Sequence, residues 1–377
     1  MKKKILFIVN VDWFFISHRL PLAIESIEKG YEVHLACNFS QSREFLETKG
    51  IVCHEIQFTR SNYNIMNALN ICKQIYTLLK VIKPDITHLV TIKPILFGGI
   101  VARLLKLPSV VFAISGLGYI FISRGKIASI RKRMIGIIYT YVFKHKNICV
   151  IFQNTDDQDE LSKLTGLNKM HSVIIPGSGV DTEKYFTSHL PKSPPVIMMA
   201  SRLLKDKGVY EYISAAKIVG LKKNNVKFVL VGTPDPENPS SISIDEVNEW
   251  VDKGYIEYWG QQDDMPNVFS KSTIVVLPSY REGLPKVLLE ASSSGRPIIT
   301  TNVAGCRDAI IDNRTGYLVE KYNAQDIADK IESLISNLDQ CIKMGQSGRQ
   351  LVEEQFSEKL IVSHHMKVYK KLLLKQK

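Results

Sequence analysis

Two carboxylates and two cations have the residue types and spacing to handle a phosphorylated, hydroxyl-bearing ligand. Glu282 and Glu290 stand with seven residues between them in the stretch TIVVLPSYREGLPKVLLEASSSG, residues 273–295. Its apolar, β-branched start reads as a buried strand, Pro278-Ser279 stops it, and a short polar loop leads to a helix opening on Pro285. Such a strand–loop–helix unit leaves unpaired N–H groups and the positive end of a helix dipole beside the strand, a ready anion site. Carboxylates there would repel phosphate, so they suit hydroxyls, as on a sugar and a ribose. Placement of acids near a helix start is the competing explanation. Arg202 and Lys207 follow the strand-like VIMMAS in the same way. Facing the Pro285 helix, they would embrace a diphosphate and stabilise charge growing on it as a leaving group. Two ordinary surface cations are the alternative, and the agreement of all four residues argues against it.

These residues need a scaffold. At 377 residues the chain exceeds one comfortable core, and two domains are expected. Strands alternate with helices: KILFIVN (4–10), EVHLAC (32–37), then 86–91 and 109–114. A second series starts at 196–201 and continues at 227–232, 256–260, 273–279 and 297–301. This rhythm predicts an α/β chain of two doubly wound, Rossmann-like domains, with ligands beyond the carboxyl ends of the strands and the active site in a cleft between the domains. The Pro-rich TSHLPKSPP (187–195) is the expected linker. The domains are then 1–186 and 187–355, with a last helix over about 356–377.

In the first domain the Val11–Ser17 loop, the Thr91–Pro94 loop and Ser115-Gly116-Leu117-Gly118 fall at strand ends. His18, just after the first strand, is a candidate acceptor-site or acid/base residue; a packed helix-face histidine is the alternative. Asp156-Asp157-Gln158-Asp159 resembles a metal-binding pair of acids, yet it follows a strand and reads as the acidic first turn of a helix. No metal site is expected. Six scattered cysteines show no CxxC spacing, which fits a reducing compartment.

The net charge of +12 is concentrated in the first half of the chain. Between Asp85 and Asp156 there is no acidic residue, while ten lysines and arginines occur. Residues 124–148 mix Arg131-Lys132-Arg133 with isoleucines and aromatics, a basic amphipathic helix suited to an anionic membrane surface. An ordinary packed helix with solvated cations is the alternative. No nucleic-acid-binding motif accompanies the charge, and no spanning segment is expected, because the apolar stretch Leu107–Ser123 is short and broken by glycines.

The motifs IPGSGVDTEKYF (175–186), SRLLKDKG (201–208), FVLVG (228–232), EGLPKVLLE (282–290) and TTNVAGCRDAIIDNRTGYLV (300–319) together resemble family 4 of the retaining glycosyltransferases, of GT-B fold. The resemblance spans essentially the whole chain. Its opening, NVDWFFISHRLPLA, and the GLGYIF region are similar to a bacterial subgroup that extends sugars on undecaprenyl diphosphate in O-antigen, capsule and related surface-polysaccharide assembly. The resemblance implies that Arg202 and Lys207 bind the donor diphosphate. Glu282 would contact the donor sugar, Gly283 and Leu284 would present backbone amides, and Glu290 would hold the ribose. It implies a UDP-sugar donor, an N-acetylhexosamine or related hexose, a polyprenyl-diphosphate-linked glycan as acceptor and no metal or other cofactor. It also implies a peripheral place on the cytoplasmic face of the inner membrane. Two features depart from the family pattern: Val11–Ser17 replaces the glycine-rich donor loop, and no histidine stands near Ser115-Gly116. The catalytic base is therefore unassigned, with His18 the candidate. A UDP-sugar 2-epimerase of the same fold and a non-catalytic basic membrane or nucleic-acid binder are the rival readings.

Overall fold

The computed structural model describes residues 2–58, 65–118, 121, 125–191, 193–222 and 225–376. Tyr119, Ile120 and Arg124 of the basic, acid-free region and Lys192 of the expected linker lie outside them. The chain divides into two compact units, Met1–Ser178 with Lys359–Lys377, and Gly179–Glu358.

The first unit is a parallel sheet of seven strands: β1 (Lys4–Val11), β2 (Glu32–Asn38), β3 (Val52–Glu55), β4 (Ile86–Val90), β5 (Val110–Ile114), β6 (Ile148–Phe152) and β7 (Ser172–Ile174). Their order is β3-β2-β1-β4-β5-β6-β7. β1, β4 and β5 are almost wholly buried, as strands covered by helices on both faces must be. The expected loop Val11–Ser17 is instead a helix, Asp12–His18. Asp12 at its start accepts hydrogen bonds from the Trp13 and Ser40 N–H groups at 2.8 and 2.9 Å, which satisfies one of the helix's first donors and ties the helix start to the turn after β2.

The second unit is a parallel sheet of six strands: β8 (Val196–Ala200), β9 (Lys227–Val231), β10 (Glu257–Gly260), β11 (Ile274–Leu277), β12 (Ile298–Thr301) and β13 (Gly316–Val319). Their order is β10-β9-β8-β11-β12-β13. The strand order reverses between β1 and β4 in one unit and between β8 and β11 in the other. Each reversal opens a crevice beyond the strand ends. Residues 185–189 belong to the second unit. The buried Arg296 donates to the Ser188 and His189 carbonyls at 3.0 and 3.3 Å, and Arg349 donates to the Tyr185 carbonyl at 2.6 Å.

The last helix, Glu358–Leu374, packs Ile361, Val368, Tyr369, Leu372 and Leu373 into one core with Ile5, Phe7 and Val9 of β1. His88 of β4 is stacked on Phe7 and, through Nδ1, lies 2.6 Å from the Tyr369 hydroxyl, with His365 stacked beyond it. Burial, reinforced by the Arg19 charge, brings His365 from 6.5 to about 3 and holds His88 well below the usual range.

The helix expected over 124–148 runs from Lys126 to Phe143. Tyr139, Val142 and Phe143 face the core, while Ile130, Met134 and Ile137 are 59, 60 and 63% exposed beside exposed Arg131 and Arg133. It is thus apolar on two faces. Among the described residues no helix is long and apolar enough to cross a membrane.

His88 and His365 are neutral when folded but take up protons on unfolding below about 6.5, so their contribution is full above that pH and declines as the pH falls, for His365 until about 3. We expect His365→Leu to flatten the decline in urea midpoint between pH 6.5 and 4, measured by circular dichroism. An unchanged slope would show that this cluster does not set acid sensitivity.

Candidate active site

In the second unit the crevice between β8 and β11 receives two loops. The loop after β8 carries Arg202 and ends in a tight 3-10 turn, Lys205–Lys207, before the helix that starts at Val209. Lys207 thus lies just before that helix. The loop after β11 carries Ser279 to Leu284 and enters the helix Lys286–Ser293. Pro285 is the residue before that helix rather than its first, with φ −73° and ψ 114°; its ring fixes φ but leaves ψ extended.

The two loops are locked together through backbone. The Tyr280 N–H donates to the Asp206 carbonyl at 2.9 Å. Gly208 has φ +77°, and a Cβ there would lie 2.1 Å from the Pro278 carbonyl oxygen, so only glycine permits this approach. A third segment braces the far side. The Glu282 N–H donates to the Ala304 carbonyl at 3.0 Å, and a Cβ on Gly305 would come within 2.4 Å of the Glu282 carbonyl oxygen. Thr301 donates its hydroxyl to the Ser279 carbonyl.

This framework presents an ion pair between Lys207 Nζ and Glu282 Oε1, whose side chains are 18 and 13% exposed. The same carboxylate oxygen accepts from the Ser279 hydroxyl at 2.7 Å. A pair this sheltered is screened little, and removing either partner leaves the other charge costly. Arg202 is more open, 54% exposed, and its guanidinium lies 3.1 Å from Asp235, a surface pairing that a phosphate can displace at small cost. Leu284 is buried in the core, and Gly283 is buried too, so they shape the turn from within.

Glu290 is the fifth residue of the Lys286–Ser293 helix, with a side chain 13% exposed and 3.8 Å from Lys286. Burial raises its pKa above the ordinary 4.5, opposed by Lys286 and by a hydrogen bond from the Tyr185 hydroxyl. Tyr185 was not singled out by residue chemistry, although it is the penultimate residue of the IPGSGVDTEKYF motif. Its backbone is pinned by Arg349 and Ser293, so Glu290 is held from two sides.

The crevice of the first unit is also polar. Asn10, Thr91 and Ser115 stand at the carboxyl ends of β1, β4 and β5. Their side-chain oxygens are buried and find no partner among the described residues. Thr91 adopts φ 71°, unusual for a β-branched residue. Buried oxygens without partners are costly, and a hydroxyl-rich ligand would satisfy them. The helix Asp12–His18 borders this end of β1. Burial opposes ionisation of Asp12, but bonds from the Ser40 N–H and hydroxyl, the Ser42 N–H and Trp13 hold its pKa below the usual value. His18 stacks on Phe14 at 4.1 Å, with Nδ1 3.2 Å from the Phe14 carbonyl. That carbonyl can only accept, so Nδ1 carries the proton of the neutral ring and Nε2 is its basic atom. Asp156 and Asp157 fall in the first turn of the helix Thr155–Thr165, capped by Asn154. No group of three or more potential metal ligands is gathered among the described residues.

Two doubly wound parallel sheets in one chain are the GT-B fold. A solved glycosyltransferase from Rickettsia africae has this architecture, with a TM-score of 0.80 at 21% identity over 99% of both chains. The chain matches the family model of glycosyl transferases group 1 over residues 181–351 and that of glycosyl transferase 4-like proteins over residues 4–154. It belongs to this glycosyltransferase family. It is 26% identical to the N,N'-diacetylbacillosaminyl-diphospho-undecaprenol alpha-1,3-N-acetylgalactosaminyltransferase of Campylobacter jejuni, over 95% of this chain and 98% of the relative. It is 27% identical to the UDP-Gal:alpha-D-GlcNAc-diphosphoundecaprenol alpha-1,3-galactosyltransferase of Escherichia coli, over 73% of this chain and 71% of the relative.

The locking of the loops has a mutational signature. Gly208→Ala combines a left-handed backbone with a clash and should lower stability by about 2–4 kcal/mol. Gly220→Ala, in a helix where a Cβ meets nothing within 4 Å, should raise it by about 0.5–1 kcal/mol. Equal effects of the two in thermal denaturation would contradict the contact with Pro278.

Proposed function

We propose that this glycosyltransferase moves a sugar, an N-acetylhexosamine or related hexose, from UDP to a polyprenyl-diphosphate-linked glycan, with retention of anomeric configuration. The observation that carries the reading is the Lys207–Glu282 pair, sheltered at the β8/β11 reversal beside the start of the Lys286–Ser293 helix. Lys207 is the phosphate ligand and Glu282 the sugar ligand, neutralising each other until the donor arrives. Arg202 swings from Asp235 to the diphosphate, and Glu290, held by Tyr185, accepts the ribose hydroxyls. The names of the Campylobacter and Escherichia relatives support the donor and the acceptor class.

The chemistry is a front-face displacement. The acceptor hydroxyl oxygen bonds to the anomeric carbon on the face from which the phosphate oxygen departs. The carbon–oxygen bond to UDP breaks with its electron pair, and the hydroxyl proton passes to the departing phosphate. Arg202 and Lys207 stabilise the charge that grows on that phosphate, work a divalent metal does elsewhere. The acceptor is met by Asn10, Thr91 and Ser115 of the first unit, with His18 bordering that site. Exposed Ile130, Met134 and Ile137 beside Arg131 and Arg133 provide a peripheral contact with an anionic membrane on its cytoplasmic face.

The test is UDP release from a panel of UDP-sugars in EDTA, with and without membranes carrying lipid-linked glycans. One donor should give acceptor-dependent release, and Lys207→Ala or Glu282→Ala should lower kcat/KM by about 100-fold or more. Full activity in both variants would remove the basis of the reading. Conversion of a UDP-sugar without acceptor would replace it with an epimerase.

A further inference from the structure

A second concavity lies away from both crevices, between the starts of β6 and β7 and the last helix. It measures about 360 Å³, at the small end of the range for ligand sites of about 300–1,000 Å³. Its floor is apolar: Cys149 and Val173 from the strands, Val368 and Leu372 from the helix. Its rim is cationic. Lys367 and Lys371 are four residues apart on one helix face, Lys375 follows just past the helix end, and His171 and His364 complete the edge. No carboxylate lines it, and none of the three lysines makes an ion pair among the described residues.

Each neutral or anionic alternative meets a physical constraint. An inorganic anion has no use for the floor, and nothing buried there donates to it. A folded helix is about 10–12 Å across with its side chains and does not enter so small a volume. A molecule with one narrow apolar chain and an anionic head satisfies both surfaces at once: the chain displaces water from the floor, and the head stands among three unpaired ammonium groups. Burial raises the Cys149 thiol to about 11, with Lys371 and Lys375 pulling it the other way.

We propose that this groove binds an anionic single-chain amphiphile, its tail along Cys149, Val173, Val368 and Leu372 and its head on Lys367, Lys371 and Lys375. The site is separate from the residues assigned to donor and acceptor, so it stands or falls independently of the transfer reaction.

The experiment is calorimetric titration of the full chain with dodecyl phosphate below its micellar concentration. Inorganic phosphate, a neutral dodecyl glycoside and a hexaglutamate peptide are compared under the same conditions. Two variants separate head from tail: Lys371→Glu with Lys375→Glu reverses the rim, and Val173→Trp fills the floor. The expected result is saturable binding of dodecyl phosphate that falls about tenfold or more in each variant, with UDP affinity unchanged. Equal binding of inorganic phosphate would make this an anion site without a tail. Equal binding of the neutral glycoside, insensitive to charge reversal, would leave only unspecific detergent uptake. Tighter binding of hexaglutamate would turn the groove into a protein-docking site, and no binding of dodecyl phosphate would overturn the proposal outright.

Discussion

The sheltered ion pair between Lys207 and Glu282 is the constraint on which the second unit depends. Its partners come from loops that follow different strands, β8 and β11, which are neighbours only because the strand order reverses between them. A carboxylate and an ammonium this close to burial are tolerated only when each has its partner and its remaining hydrogen bonds. Ser279 supplies one of these, and the backbone contacts at Gly208 and Gly305 keep the loops from drifting apart. In the proposed reading the pair serves two ends: its charges balance each other, and it presents a cation and an anion to a ligand carrying both phosphate and hydroxyl groups.

The first unit solves a different problem. Its crevice holds uncharged oxygens, from Asn10, Thr91 and Ser115, rather than ions. Such groups suit hydroxyl exchange with a sugar acceptor, because hydrogen bonds to neutral partners are individually modest and reversible. The rigid part lies behind them. Asp12 ties the end of β1 to the Ser40–Ser42 turn, and the last helix fills the core with Tyr369 against His88. Rigidity and unsatisfied polarity are thus separated within one unit, which keeps the crevice shaped before any ligand is present.

The sequence made the scaffold legible wherever a continuous apolar run signalled a strand buried on both faces, as in β1, β8 and β11. It did not show β3 or β13. Val52–Glu55 is half exposed and mixes apolar with polar residues, so it shows no continuous apolar run, and Gly316–Val319 opens on a glycine directly after a polar turn, Asn313-Arg314-Thr315. Asp12 was hidden for another reason: a lone acid after a strand looks like a loop residue until Ser40 and Ser42 are seen to bond it. The charged members of the candidate site stood out by type and spacing, yet their pairing did not. Nothing in the order of residues indicates that Lys207 meets Glu282 while Arg202 turns to Asp235. Tyr185 illustrates the same limit. Its hydroxyl reaches Glu290 across more than a hundred residues of chain, and only the fold reveals it.

The division of labour within the ion pair is best tested by calorimetry with UDP, which has the diphosphate but no transferable sugar. Lys207→Ala should weaken UDP binding about tenfold or more, whereas Glu282→Ala should leave UDP within about threefold and erase the preference for a UDP-sugar over UDP. Unchanged UDP affinity in Lys207→Ala would contradict the assignment of this crevice to the donor diphosphate.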